Sequence, residues 1–232
     1  MWMNNIPGTK VPNIPKISST TANTNNGPSI LIAIPAMDMV YTQFASSLAL
    51  CMANLVNNGI NTTCVFNIST LVSIARTNLV NIFLKSQYEY ICWIDSDMNF
   101  PIDAPIKLLA RNKEIIGVNY RQRKFSNPRF TACKKTNDVY HEIKTTNTSP
   151  ELELCDVLPH GLMLVKREVY TNIQEPHYIQ QYLPEKNIEV GEDVYFCEKA
   201  KAAGYDIWCD HVLTKQVSHI GTVNFTYNLL AS

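Results

Sequence analysis

From Ser29 onward the chain switches between short unbroken apolar runs and stretches whose apolar residues recur every three or four positions. Ile30-Leu31-Ile32-Ala33-Ile34, closed by Pro35, is apolar throughout, as expected of a strand buried on both faces. Phe44, Leu48, Cys51, Met52 and Leu55 then predict an amphipathic helix that ends at Asn57-Asn58-Gly59, with Gly59 just past its last turn. Ile60, Thr62, Cys64 and Phe66 alternate along a second strand, and Leu71, Ala75, Leu79, Ile82 and Phe83 mark a second helix. Tyr90 to Ile94 is a third buried strand that runs directly into Asp95-Ser96-Asp97. A short helix after Pro101, with Pro105 in its first turn, precedes a fourth strand at Ile115-Ile116-Gly117-Val118. Residues 29–120 thus read β-α-β-α-β-α-β, the pattern of an α/β domain with a mostly parallel sheet flanked by helices.

The second half is less regular and α+β in character. Residues 121–150 predict loops and a hairpin, with strands at Leu152–Leu158 and Gly161–Val165 and a short helix at Lys166–Ile173. Residues 174–190, with Pro176, Pro184 and several aromatics, read as a surface loop. A helix from Glu192 to Ala203, closed by Gly204, and a strand from Tyr205 to Cys209 follow. Residues 1–28, rich in Asn, Thr, Ser and Pro, have no apolar period and read as a flexible arm. Residues 29–232 are expected to form one domain.

Composition narrows the partners. Hydrophobic residues make up 46% of the 232 and charged residues 17%, a globular balance. Twenty basic residues offset twenty acidic ones, which argues against a sequence-blind nucleic-acid binder or a polybasic membrane anchor. An anionic ligand held by a few placed cations remains compatible with that balance. Seven widely spaced cysteines without a C-x-x-C pair suggest reduced thiols rather than a disulfide framework or zinc knuckle. No basic-then-apolar leader and no apolar run near membrane length are visible, so the expectation is a soluble, cytoplasmic protein without a transmembrane segment.

Asp95-Ser96-Asp97 is the most informative local feature. Ligands of open α/β sheets bind at the carboxyl ends of the strands, and two carboxylates one residue apart repel unless a cation lies nearby. A hard divalent ion bridging a diphosphate would meet that need, although a polar turn after a strand also favours Asp and Ser. His219, in Val217-Ser218-His219-Ile220-Gly221, is a candidate metal ligand or a structural histidine, and His160 competes for the same role. His141, His177 and His211 read as surface or loop residues. Glu192-Asp193 opens a helix, where acidic residues suit the dipole but can also serve as a base facing a cleft. Arg76, the one charge on an otherwise uncharged helix, either snorkels to solvent or holds a phosphate. Arg121, Arg123 and Lys124 carry the same two readings.

The order of these features resembles the GT-A glycosyltransferases of the family 2 type, in particular compact soluble enzymes of bacteriophages and large DNA viruses such as those infecting chlorella. The series runs from Ile34-Pro35-Ala36 through Ser73-Ile74-Ala75-Arg76 and Asp95-Ser96-Asp97. It continues with Gly161 to Arg167, Glu192-Asp193 and His219-Ile220-Gly221. The resemblance spans roughly residues 29–225. It implies a nucleotide-binding half (29–120) and an acceptor-binding half (121–232), with a cytoplasmic site of action in the host if the source is viral.

It further implies that Pro35, Ala36 and Asp38 meet the nucleoside, that Arg76 approaches the nucleotide or its diphosphate, and that Asp95 and Ser96 lie on the ribose side. Asp97 and His219 would hold Mn2+ or Mg2+, Asp193 would be the general base of an inverting reaction, and Glu192 would orient it or touch the acceptor. The Gly161 segment would line the donor-sugar pocket. The implied donor is a nucleoside-diphosphate sugar, with UDP as default, and the acceptor a glycan or glycoprotein hydroxyl. The late motif lacks the Gln/Arg-rich signature of processive synthases, which points to transfer of a single sugar. Rival readings are a retaining enzyme of the same fold, a nucleotidyltransferase, an aspartate-nucleophile phosphatase and a non-catalytic nucleotide-sugar-binding module. No glycine- and lysine-rich loop follows the first strand, and the D-x-D ends the third strand rather than the first, which disfavours the nucleotidyltransferase and the phosphatase.

Overall fold

A computed structural model describes residues 27–124, 127–184 and 187–221, together with the backbone of 225–226. Apart from Gly27 and Pro28, the expected N-terminal arm lies outside the described residues. The central sheet has seven strands: β1 (Ser29–Ala36), β2 (Asn61–Ile68), β3 (Tyr90–Ile94), β4 (Ile115–Gly117), β5 (Leu152–Cys155), β6 (Leu162–Lys166) and β7 (Ile207–Asp210). Their order is β2-β1-β3-β6-β4-β7-β5. β1 runs parallel to β2 and β3, and β4 parallel to β7, whereas β6 is antiparallel to both β3 and β4 and β5 is antiparallel to β7. The sheet is therefore mostly parallel. The first four strands do not lie side by side, however, because β6 enters from the second half and separates β3 from β4.

Unbroken apolar runs form the central strands because each buries both faces. In β1, Leu31 and Ala33 pack on one side with Leu79 and Phe83 of α2 (Val72–Lys85), while Ile30, Ile32 and Ile34 pack on the other with Phe44, Cys51 and Leu55 of α1 (Thr42–Asn57). β3 and β6 divide in the same way, Trp93 and Met163 facing one core and Ile94 and Leu162 the other. The period-2 alternation of strand side chains thus builds two cores and three layers. The α2 face also receives α4 (Arg167–Asn172) and α5 (Glu192–Ala202), and the α1 face receives α3 (Ala104–Ala110). All seven cysteines are free, five of them buried.

Both long predicted helix ends close as their glycines require. After α1, Gly59 (φ 73°) donates to the Val56 carbonyl and Ile60 to the Leu55 carbonyl, both at 3.0 Å. After α5, Gly204 (φ 88°) donates to Lys201 and Tyr205 to Ala200. These paired bonds satisfy carbonyls that the helix leaves open, and only glycine adopts the left-handed turn at little cost.

The second half departs from expectation in several places. Residues 174–190 are not simply a surface loop. His177 and Tyr178 are each 3% exposed, and Gln181–Leu183 pairs with Ile188–Val190 as a hairpin. Tyr178 is drawn inward because its ring stacks on Phe196 at 5.3 Å and its hydroxyl lies 2.6 Å from that of Tyr170. His211 is also buried, not at the surface, in α6 (His211–Thr214), between Thr145 Oγ1 at 2.8 Å and Glu153 Oε2 at 3.2 Å. The hairpin expected within 121–150 is formed by Cys133–Thr136 and Val139–Glu142 around Asn137 and Asp138, both at positive φ. The strand predicted over Leu152–Leu158 ends at Cys155, where the backbone leaves β7 and turns to Cys133, whose carbonyl accepts from the Asp156 and Val157 N–H groups at 2.9 and 3.1 Å.

Candidate functional site

The parallel strands β1 and β3 end side by side, and a cleft of about 780 Å³ opens beyond them. Its lining includes Pro35, Ala36 and Asp38 after β1, Leu71 and Val72 at the start of α2, and Asp95, Ser96 and Asp97 after β3. Arg123 and Gln180 close it from the second half. The nucleoside-side candidates and the D-x-D therefore share one cleft. A neighbouring groove of about 520 Å³ runs on from Leu71 and Gln180 to Ile74, Tyr182 and Glu189. Both openings are rimmed by exposed apolar side chains, among them Met37, Met39 and Tyr182.

Asp95 is fixed where β3 ends, its N–H donating to the Gly161 carbonyl at 3.0 Å. Beneath it, Arg76 is 3% exposed. Its Nη2 donates to Asp95 Oδ1 at 2.8 Å and its Nε to Glu192 Oε1 at 3.1 Å, with the guanidinium carbon 5.4 Å from the Trp93 ring centre. Burial alone would weaken the guanidinium's hold on its proton, but Asp95 and Glu192 outweigh it and keep Arg76 charged. Of the two readings, solvent snorkelling is thereby removed. Arg76 welds α2, the end of β3 and the start of α5 into one unit. Burial pushes the Asp95 carboxyl above its ordinary value, with Arg76 pulling the other way.

The chain brings the late histidine back to the D-x-D through a small antiparallel sheet. Ser218–His219 pairs with Met98–Asn99, and the Ile220 N–H donates to the Asp97 carbonyl at 2.7 Å. His219 Nε2 consequently lies 3.2 Å from Asp97 Oδ2, and its Nδ1 lies 3.2 Å from the Arg121 carbonyl. Arg123 Nη1 reaches the same Asp97 oxygen at 3.0 Å. Burial raises the Asp97 carboxyl, yet the hydrogen bond and charge of His219, followed by Arg123, prevail and hold it below the ordinary carboxylate value.

Glu192 and Asp193 open α5, and Glu192 reaches the site through Arg76. Asp193 does not line the cleft; its Oδ1 accepts from the Val194 N–H at 2.8 Å. Burial, then the charge of Glu192, push its carboxyl above the ordinary value. His160, the rival ligand, sits 1% exposed among Trp93, Tyr178 and Phe196, and no described residue pairs with either ring nitrogen. It is caged by rings rather than set on a carboxylate, and burial with Arg76 nearby keeps it neutral.

Two residues were missed by the sequence reading. Tyr120 is 8% exposed, with its ring 5.1 Å from that of His219. A Cβ on Gly161 would meet its phenol at 2.5–2.7 Å, so Gly161 is the residue that makes room for it. Burial, followed by the charges of Asp95, Asp193 and Asp97, pushes the Tyr120 hydroxyl well above its ordinary value. Asn119 is fully buried: its Nδ2 donates to the Ile143 carbonyl at 2.8 Å and its Oδ1 accepts from the Ala132 N–H at 2.9 Å. Position just after the fourth apolar strand was the only available signal for either.

Fold and site together define a class: a single α/β domain of GT-A-like architecture, with carboxylates and counter-cations gathered at the carboxyl ends of its parallel strands. No family model and no curated protein matches the sequence. By shape, the chain is similar to A197 from STIV, with a TM-score of 0.55 at 16% identity, over 84% of this chain and 86% of that one. At that identity the likeness speaks for the fold alone. A glycosyltransferase involved in the glycosylation of the major capsid of PBCV-1 aligns over 64% of this chain and 68% of its own, at 13% identity. Its TM-score is 0.34. Among the described residues no helix is long and apolar enough to cross a membrane.

Proposed function

We propose that the protein is a metal-dependent glycosyltransferase of the family 2 type. It moves one sugar from a nucleoside-diphosphate sugar, UDP-linked by default, to a hydroxyl of a glycan or glycoprotein, with inversion. The observation that carries the reading is the approach of His219 to Asp97. The Arg121 carbonyl beside Nδ1 can only accept, so Nδ1 of a neutral ring carries the hydrogen. Protonated, the ring donates from Nε2 to Asp97 Oδ2 3.2 Å away; neutral, it turns a lone pair toward that oxygen, and an imidazole nitrogen beside a carboxylate oxygen is a donor pair that a divalent ion can take.

Imidazole nitrogen and carboxylate oxygen together suit Mn2+ or Mg2+. Among the described residues no cluster of three His, Cys, Asp or Glu side chains could complete a metal cage. The remaining ligands would accordingly be donor phosphate oxygens and water. Bound there, the ion would supply Lewis-acid stabilisation of the departing diphosphate.

The chain's own residues do the rest. Asp38, with Pro35 and Ala36, forms the wall against which the nucleoside lies, and Asp95 and Ser96 take the ribose side. Arg76 acts as a positioning residue, holding Asp95 and Glu192 in place through its two ion pairs. Asp193, with a carboxyl held above its ordinary value by burial, is suited to accept the acceptor proton, and Glu192 braces the helix end that carries it. Because Asp193 lies off the cleft lining, a retaining transfer is the second reading.

The test is a panel of sugar nucleotides incubated with Mn2+ and scored for slow donor hydrolysis. One nucleotide and one sugar should stand out, and activity should vanish in chelator. Asp97→Ala should abolish metal-dependent donor binding, while Asp193→Asn should bind donor and lose transfer. Donor affinity unaffected by chelator would remove the metal, and an unchanged rate in Asp193→Asn would remove the base.

A further inference from the structure

Arg123 stands three residues beyond Tyr120 and lines the cleft with a side chain 43% exposed. Its Nη1 is 3.0 Å from Asp97 Oδ2 and 3.4 Å from the Ile220 carbonyl. The Asp97 oxygen it touches is the one that faces His219 Nε2 at 3.2 Å. A guanidinium so placed neutralises the oxygen that the metal-dependent reading above assigns to a divalent ion. Two like charges cannot share one oxygen at contact distance without strong repulsion, most of all in a partly desolvated cleft. Asp97 is the one carboxylate that Arg123 pairs with among the described residues, and it approaches from solvent on a long flexible stem. If displaced, it remains within a cleft that an incoming diphosphate would enter, and a guanidinium fork matches phosphate oxygens well.

We propose that Arg123 is a cation-competing latch. In the nucleotide-free protein it occupies Asp97 and suppresses binding of the metal alone. When metal and nucleoside diphosphate arrive together it transfers to the phosphates. Metal and nucleotide are then bound cooperatively, and by linkage each strengthens the other by the same factor. The arrangement keeps a carboxylate and an imidazole from collecting a free ion without its substrate.

The experiment titrates Mn2+ alone, followed by its electron paramagnetic resonance signal, against wild type, Arg123→Gln, Arg123→Lys and Asp97→Ala. The titrations are repeated with a nucleoside diphosphate present. Arg123→Gln should bind the ion alone at least about fivefold more tightly than wild type, and should bind the diphosphate with Mn2+ at least about fivefold more weakly. Arg123→Lys, which keeps the charge, should stay near wild type for the ion alone. Equal Mn2+ affinity in wild type and Arg123→Gln, with binding lost only in Asp97→Ala, would overturn the latch and leave the metal reading standing. Absence of Mn2+ binding to every protein, even with the diphosphate, would overturn both. A thermal unfolding curve for each variant checks that it folds as wild type does.

Discussion

Arg76 is the residue on which the site's rigidity depends. It is 3% exposed and faces two carboxylates from different elements, so its removal strands two partly buried charges rather than one contact. Arg76→Met should cost about 3–5 kcal/mol of stability by urea unfolding, in the range for breaking a buried pair from one side. Arg76→Met/Glu192→Gln should recover part of that loss, which a simple packing defect would not. Gly161 tests the same centre from the other direction. A methyl there meets the Tyr120 phenol at 2.5–2.7 Å, so Gly161→Ala should cost about 1–3 kcal/mol through overpacking. His160 gives the site's underside a pH signature. Its folded value lies well below 6.5, so the unfolded imidazole accepts a proton that the folded one refuses. The stability it contributes is fully present above about pH 6.5 and is lost as pH falls below it, at up to about 1.4 kcal/mol per unit. Urea midpoints measured from pH 7.5 to 5 should fall on the acid side, and His160→Phe should flatten that fall.

At the scale of elements, what the chain's pattern reveals is local and what it hides is non-local. The apolar periods located β1, α1, β2, α2 and β3 because those signals come from neighbours on the same segment. Glycines at 59 and 204 marked helix ends because the left-handed turn is a property of one residue. Nothing local told β6 to insert antiparallel between β3 and β4: Leu162 to Val165 is buried on both faces, and such a run reads alike in either direction. Tyr178 and His177 were hidden for a related reason, since their burial depends on Phe196 and Tyr170 from other elements. The D-x-D, the Glu-Asp helix start and the late histidine were each visible as residues. The 3.2 Å meeting of Asp97 with His219 required the pairing of Ser218–His219 with Met98–Asn99, which two-residue strands do not announce. The glycine caps offer a clean element-level test. Nothing lies within 4 Å of a Cβ at either position, so Gly59→Ala and Gly204→Ala should each cost only the backbone term, about 1–2 kcal/mol. The two caps close separate helices on opposite cores, and the double variant should show the sum within about 0.5 kcal/mol.

For the whole molecule, the balance of twenty basic and twenty acidic residues takes on a definite meaning. The cleft and the ion pairs beneath it gather Asp38, Asp95, Asp97 and Glu192 against Arg76 and Arg123, so without ligand it is net acidic and cannot attract a diphosphate by field strength. On the proposed reading, charge has to arrive as a metal–diphosphate pair, which turns stability into a report on function. A ligand set that binds only the folded state at about a hundred times its dissociation constant adds about 2.7 kcal/mol. For a chain of this size each kcal/mol raises Tm by about 2–4 °C, so saturating Mn2+ with nucleoside diphosphate should raise it by about 5–10 °C. Either component alone should give much less, because Arg123 holds Asp97 against the ion and the diphosphate alone faces two carboxylates. Thermal scans with Mn2+, with nucleoside diphosphate, with both, and with both plus chelator check this in one series. A full shift from the diphosphate alone would mean that the cations already in the cleft suffice to hold it and that the protein needs no metal to bind its donor.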